Sequence, residues 1–120
     1  MHDMNGLLAL RDLNPWCVLV VVNNDGGGIF HTLPVREREP AFTRYFATPH
    51  GLDFKKAADL YGLPFHSAGS LQELQRSLEK ALEGGAPAIV EVRTRRGPTH
   101  DQREAVVRSV VAAVEGLGAP

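Results

Sequence analysis

Cysteine is almost absent from this chain: Cys17 is the single one in 120 residues. It can form no internal disulfide, which excludes a disulfide-stapled secreted scaffold and points to a reducing compartment. An excess of one charge is missing too. Thirteen basic and fourteen acidic side chains leave a net charge of −1. That balance gives no electrostatic case for nucleic acid or an anionic membrane. Long apolar runs are also lacking. The longest, Trp16 to Val22, falls far short of the roughly 20 residues a helix needs to span a bilayer. The opening "MHDMNG" carries neither a basic flank nor an apolar segment of signal-peptide length. No internal repeat and no low-complexity segment occurs. The expectation is a soluble cytoplasmic protein.

What is present suits an ordinary globular chain. Hydrophobic residues make up 43% and charged residues 22%, values typical of folded domains. A chain of this size buries about two-thirds of its unfolded surface, enough for one core. It is long enough for one compact domain or part of a larger one.

Periodicity and punctuation predict the elements. A helix is expected over Asp3 to Leu13, with Asp3 as cap and Asn14-Pro15 as its stop. Cys17 to Val22 is apolar and β-branched without alternation, as in a strand buried on both faces. Residues 23 to 28 read as loop, Ile29 to Leu33 as a short apolar piece, and 35 to 41 as a charged, solvated loop. "FTRYF", 42 to 46, reads as a helical turn. Asp53 caps a helix over 54 to 61 that ends at Gly62. "PFHS" reads as a short strand. Ser70 and Glu73 form a capping box for a helix ended by Gly84 and Gly85. "PAIVEV", 87 to 92, reads as a second buried strand, 93 to 100 as a loop, and 101 to 117 as a final helix. Val106, Val107, Val110, Val111, Val114 and Leu117 give that helix an apolar stripe, read as core or subunit contact. Strands alternating with helices imply a parallel α/β sheet, with ligands held beyond the carboxyl ends of its strands. No strand precedes the first helix, although such a fold usually has one there.

"VVVNNDGGGIFHTLP" lies at such a strand end. A dinucleotide fingerprint fails because His31 stands where its third glycine belongs. A P-loop fails for want of Gly-Lys-Ser/Thr, and a calcium loop from Asn23 meets Pro34 where glutamate is needed. Two readings remain. One is turn chemistry alone. The other is half of a magnesium-diphosphate site, in which an asparagine amide oxygen and a glycine carbonyl supply hard, neutral ligands.

The stretches "HDMNGLLAL", "VVVNNDGGGIFHTLP" and "TPHGLDF" resemble the latter part of the thiamine-diphosphate motif, which begins Gly-Asp and ends in Asn-Asn. Asn-Asn followed by Gly-Gly-x-Ile-Phe and Leu-Pro resembles the form found in the 2-succinyl-5-enolpyruvyl-6-hydroxy-3-cyclohexene-1-carboxylate synthase family. "EVRTRRGPTHDQREAV" is similar to that family's C-terminal end, so the resemblance covers essentially the whole chain. It implies a three-layer (αβα) thiamine-diphosphate-binding fold with a mainly parallel sheet, lacking its first strands. The 120 residues would then form a single partial domain, the C-terminal portion of that domain.

The resemblance also implies a chemistry. The family is a thiamine-diphosphate-dependent, magnesium-dependent transferase of menaquinone biosynthesis. It decarboxylates 2-oxoglutarate and adds the four-carbon unit to isochorismate. It works as a homo-oligomer with the site shared between subunits. Position in the motif assigns Asn24 and Gly26 to the metal, through a side-chain oxygen and a backbone carbonyl. It assigns Ile29, Phe30 and Leu33 to an apolar wall near cofactor and substrate, and Asp3 and Asn5 to the diphosphate region. The family's Gly-Asp, with its charged magnesium ligand, is not in this sequence. Neither is the glutamate-bearing domain that activates the cofactor. No catalytic residue is therefore assigned, and the chain alone is expected to be an inactive fragment. Two alternatives stand beside this one. The chain is the cofactor domain of another 2-oxo-acid decarboxylase or synthase, or it is a non-catalytic α/β module binding an anion or a partner chain.

Other polar residues carry plainer readings. His2, His31, His50, His66 and His100 show no zinc-ligand spacing, and His31 reads as an exposed turn residue. Asp25 reads as turn chemistry, and Arg36 and Arg38 as solvated charges alternating with Glu37 and Glu39. Arg93, Arg95 and Arg96 stand at a strand end, either as an anion site or as plain surface.

Overall fold

The computed structural model describes residues 3–117. His2, one of the scattered histidines, lies outside them. The chain divides into two compact units, one from Met1–Asn23 and Gly51–Thr94, the other from Asn24–His50 and Arg95–Pro120.

The first unit is a parallel sheet clad on both faces. Its elements are α1 (Gly6–Leu13), β1 (Val18–Asn23), α2 (Phe54–Tyr61), β2 (Phe65–Ala68), α3 (Leu71–Glu83) and β3 (Ala88–Arg93). The strand order is β1-β3-β2, both pairings being parallel. β3 is central and its first four residues are buried, as its continuous apolar run implies. Ile89 packs on one face with Ala58 and Leu63, and Leu7, Leu10, Val21 and Phe65 surround them. Val90, one residue on, faces the other side with Ala81 and Ala88, against Leu74 and Leu78 of α3. α1 and α2 thus cover one face and α3 the other, the expected three layers.

Caps set the helix limits. The Asp53 side chain accepts from Lys55 N at 2.9 Å, and α2 ends on Gly62 at φ 66°. Ser70 Oγ accepts from Glu73 N at 3.2 Å, while Glu73 reaches back to Gly69 N at 2.7 Å, one residue beyond the usual box.

Several expectations are corrected. α1 starts at Gly6 after Asn5, so Asp3 is not its cap. β1 is not buried on both faces. Among the described residues β3 is its one strand partner, and Leu19, Val20 and Val22 are exposed.

The second unit holds short helical turns at Gly28–Thr32, Pro34–Glu37 and Thr43–Ala47, and α4 (Arg96–Gly116). Residues 96 to 100 are the first turn of α4 and not loop. Gly97 and Pro98 read as breakers, but a first-turn N–H has no partner within the helix, so proline is tolerated there. The valine stripe of α4 is not core: all six of its residues are exposed. Among the described residues of this unit Phe42 and Ala47 are the buried apolar ones, with the rings of Phe42 and Phe46 stacked at 6.3 Å. No helix among the described residues is long and apolar enough to cross a membrane.

Two outcomes test this packing. Val90→Ala, at a fully buried position, should cost about 2 kcal/mol or more in urea unfolding. Val22→Ala, at 67% exposure, should change stability by less than about 0.5 kcal/mol. The apolar edge of β1 should also promote association. Sedimentation velocity should show concentration-dependent oligomers that Val20→Lys diminishes.

Candidate functional site

The site is built where β1 ends. Asn23, its last residue, pairs in register with Arg93, and Thr94 N donates to Asn23 O at 2.9 Å. The chain then turns sharply. Asp25 adopts φ 59° and Gly26 φ 129°. The first is a left-handed position that aspartate tolerates; the second belongs to glycine.

Close approach explains why three glycines follow. A Cβ on Gly26 would lie 2.2 Å from Ala47 O, and one on Gly27 2.4 Å from Phe46 O. One on Gly28 would lie 2.6 Å from the Asn24 side-chain nitrogen. The loop is therefore pressed onto the 46–48 backbone, and Gly28 leaves room for the Asn24 amide. Gly27 N donates to Ala47 O at 2.7 Å. Arg96 Nη1 donates to the same oxygen at 3.0 Å.

Two neutral oxygens of this turn, Asn24 Oδ1 and Gly26 O, are those that the motif resemblance assigns to a metal. Asn24 Oδ1 accepts from Gly26 N at 3.3 Å, and Gly26 O accepts from Gly28 N at 2.9 Å. A carbonyl oxygen has two lone pairs, so each retains capacity for a hard cation. The donor set fits magnesium as a half-site. Neither of these donors is a carboxylate; the neighbouring Asp25 Oδ1 accepts from His50 N at 3.1 Å and lies 3.5 Å from His50 Nδ1. Among the described residues no group of three or more histidine, cysteine, aspartate or glutamate side chains could hold a metal.

The apolar candidates belong to the same unit. Ile29 is 74% exposed, and Phe30 and Leu33 are exposed as well. Phe30 meets Phe46 edge-on at 6.0 Å. Asp3 and Asn5 belong to the sheet unit. Asp3 borders a pocket of about 160 Å³ with Met4, Leu7, Leu19, Val21 and Phe54, and Asn5 is the exposed residue before α1.

Three plain readings change. His31 is not an exposed turn residue. Its ring stands edge-on to Phe42 at 4.8 Å, and its Nδ1 is buried without a partner. Arg36 is not simply solvated. It donates to His31 O at 3.3 Å and to Glu104 at 3.4 Å, and it contacts the buried His100. Of the strand-end arginines, Arg93 donates to Glu91 at 3.0 Å and Arg96 holds Ala47 O, so two of the cluster serve the fold. Sequence reasoning missed the Arg93–Glu91 pair and the Arg36–His100–Glu104 cluster; the glutamate inside "PAIVEV" is the one available signal for the former.

The chain belongs to the family described as thiamine pyrophosphate enzyme, C-terminal TPP binding domain, whose model matches residues 1–92. Within that class it is 45% identical over 117 residues to the 2-succinyl-5-enolpyruvyl-6-hydroxy-3-cyclohexene-1-carboxylate synthase of Roseiflexus sp. (strain RS-1), covering 97% of this chain and 20% of that protein. The synthase of the same name from Salinibacter ruber is 46% identical over 114 residues, covering 95% of this chain and 19% of that protein. The chain thus spans about a fifth of the length of these relatives. A solved structure, benzoylformate decarboxylase from Polynucleobacter necessarius, is similar in fold with a TM-score of 0.66 at 21% identity. That likeness covers 80% of this chain and 18% of the other.

The glycine turn is open to a direct test. Gly26→Ala should cost about 2 kcal/mol or more in thermal or denaturant unfolding, from strain at positive φ and collision with Ala47 O. Gly97→Ala, with open space around its Cβ position, should be neutral or stabilise α4 by up to about 1 kcal/mol.

Proposed function

We propose that the chain is the C-terminal part of the cofactor-binding domain of a thiamine-diphosphate-dependent synthase. The whole enzyme is a cytoplasmic transferase of menaquinone biosynthesis that decarboxylates 2-oxoglutarate and adds the four-carbon unit to isochorismate. It acts as a homo-oligomer with the site shared between subunits. The chain's two units together form one partial domain. The observation that carries this reading is the turn from Asn24 to Gly28. Its glycines leave no room for Cβ atoms, and the Asn24 side-chain and Gly26 backbone oxygens follow the carboxyl end of a parallel strand.

In this reading Asn24 Oδ1 and Gly26 O would hold magnesium, whose charge would offset that of a bound diphosphate. Thiamine diphosphate, when bound, supplies the stabilisation of a carbanion that no side chain provides. Ile29, Phe30 and Leu33 form an apolar wall that keeps water from the reacting carbon. The roles of Asp3 and Asn5 near the diphosphate rest on the family resemblance. The charged metal ligand comes from outside this chain. Neutral oxygens alone attract the ion weakly, so the chain by itself is inactive.

Calorimetry with magnesium and thiamine diphosphate should give an affinity of about 1 mM or weaker. No turnover should follow addition of both substrates. Submillimolar binding, or turnover by the chain alone, would refute the inactive-fragment claim. Manganese, as a paramagnetic probe, should broaden the backbone amides of residues 24–28 first. Asn24→Ala should raise the midpoint of that titration about tenfold, and Asp25→Asn should leave it unchanged. Broadening centred elsewhere would overturn the site.

A further inference from the structure

We propose that Glu91 is a positioning residue for the metal-binding turn and acts through Asn23. Glu91 is fully buried at the middle of the central strand, between Val90 and Val92. A carboxylate there is costly unless its oxygens are satisfied. Both are. Asn23 Nδ2 donates to Oε1 at 2.7 Å, and Arg93 Nε donates to Oε2 at 3.0 Å.

The register makes this a clamp on the end of β1. Val21 pairs with Glu91 and Asn23 with Arg93, so Asn23 and Glu91 project to the face that carries Val21 and Ile89. Thr94 N fastens the Asn23 carbonyl at 2.9 Å. Asn23 is thus held by its side chain and its backbone at the last position before the turn. Asn24 follows directly, its Oδ1 directed instead to Gly26 N.

The two asparagines therefore have different work. The amide of Asn23 is spent on the sheet, and that of Asn24 is left to the turn. A hydrophobic residue at 91 would still be buried but would remove the acceptor that Glu91 gives to Asn23 Nδ2. The end of β1 would then lose the anchor that sets where Asn24 begins. The metal-related half of this inference rests on the magnesium reading above; the clamp itself does not.

Hydrogen exchange and manganese titration of the full 120-residue chain test it with Glu91→Leu, Glu91→Gln and Asn23→Ala. Glu91→Leu and Asn23→Ala should speed exchange at the Thr94 and Gly26 amides about tenfold or more relative to α3 amides. Glu91→Gln keeps a carbonyl for Asn23 and should change that ratio by less than about threefold. The Asn23 side-chain NH2 signals should shift further in Glu91→Leu than in Glu91→Gln, which keeps an acceptor. In the same variants the manganese midpoint at residues 24–28 should rise about tenfold for Glu91→Leu and stay near wild type for Glu91→Gln. Unchanged local exchange in a folded Glu91→Leu would overturn the clamp. If that variant does not fold, unchanged exchange in Asn23→Ala would do the same. Exchange that rises equally in α3 would mean a merely structural role and would also overturn it. A wild type that shows no localised manganese broadening would defeat the magnesium reading alone, and the exchange ratios would still decide the clamp.

Discussion

The parallel ladder between β1 and β3 is the constraint on which the rest depends. It joins Val18–Asn23 to Ala88–Arg93 in a register without offset, so both strands end at the same level. That shared end is where the turn toward Asn24 departs, and Thr94 closes the ladder by donating to Asn23 O. A slip of one residue would turn Asn23 and Glu91 to opposite faces. It would also remove Ile89 and Val90 from their respective cores. The apolar packing that stabilises the sheet and the polar pair at its end therefore enforce the same register.

The turn itself is organised by lack of space. Positive φ at Gly26 is only part of the reason for glycine there, since backbone oxygens of Phe46 and Ala47 occupy the volume that side chains at 26 and 27 would need. Ala47 O gathers donors from Gly27 and Arg96. The Asn24 and Gly26 oxygens proposed to hold the cation are held within this closed turn. Preorganised oxygens suit magnesium, which tolerates little distortion of its octahedron.

Much of this was legible from sequence. Caps and glycine stops predicted α2 and α3 almost to the residue, because Asp53, Ser70 and Gly62 act on backbone groups a few positions away. The buried run of β3 and the strand-end position of Asn24 were legible for the same local reason. The start of α4 was not, since Gly97 and Pro98 carry breaker signals that a helix's first turn overrides. The stripe on α4 was legible as apolar, but its exposure was not.

By itself, then, the sequence determined the order of elements, the helix ends, the position of the glycine turn and the family to which the chain belongs. These follow from interactions between near neighbours and from a motif of fixed spacing. Only the tertiary structure decided which asparagine of the pair serves the sheet. It also decided that Glu91 accepts from Asn23, and that Arg36 meets His100 and Glu104. Each of those contacts joins residues more than 60 positions apart. No local propensity encodes such a meeting; it arises once burial of the strands has brought distant side chains within hydrogen-bonding reach.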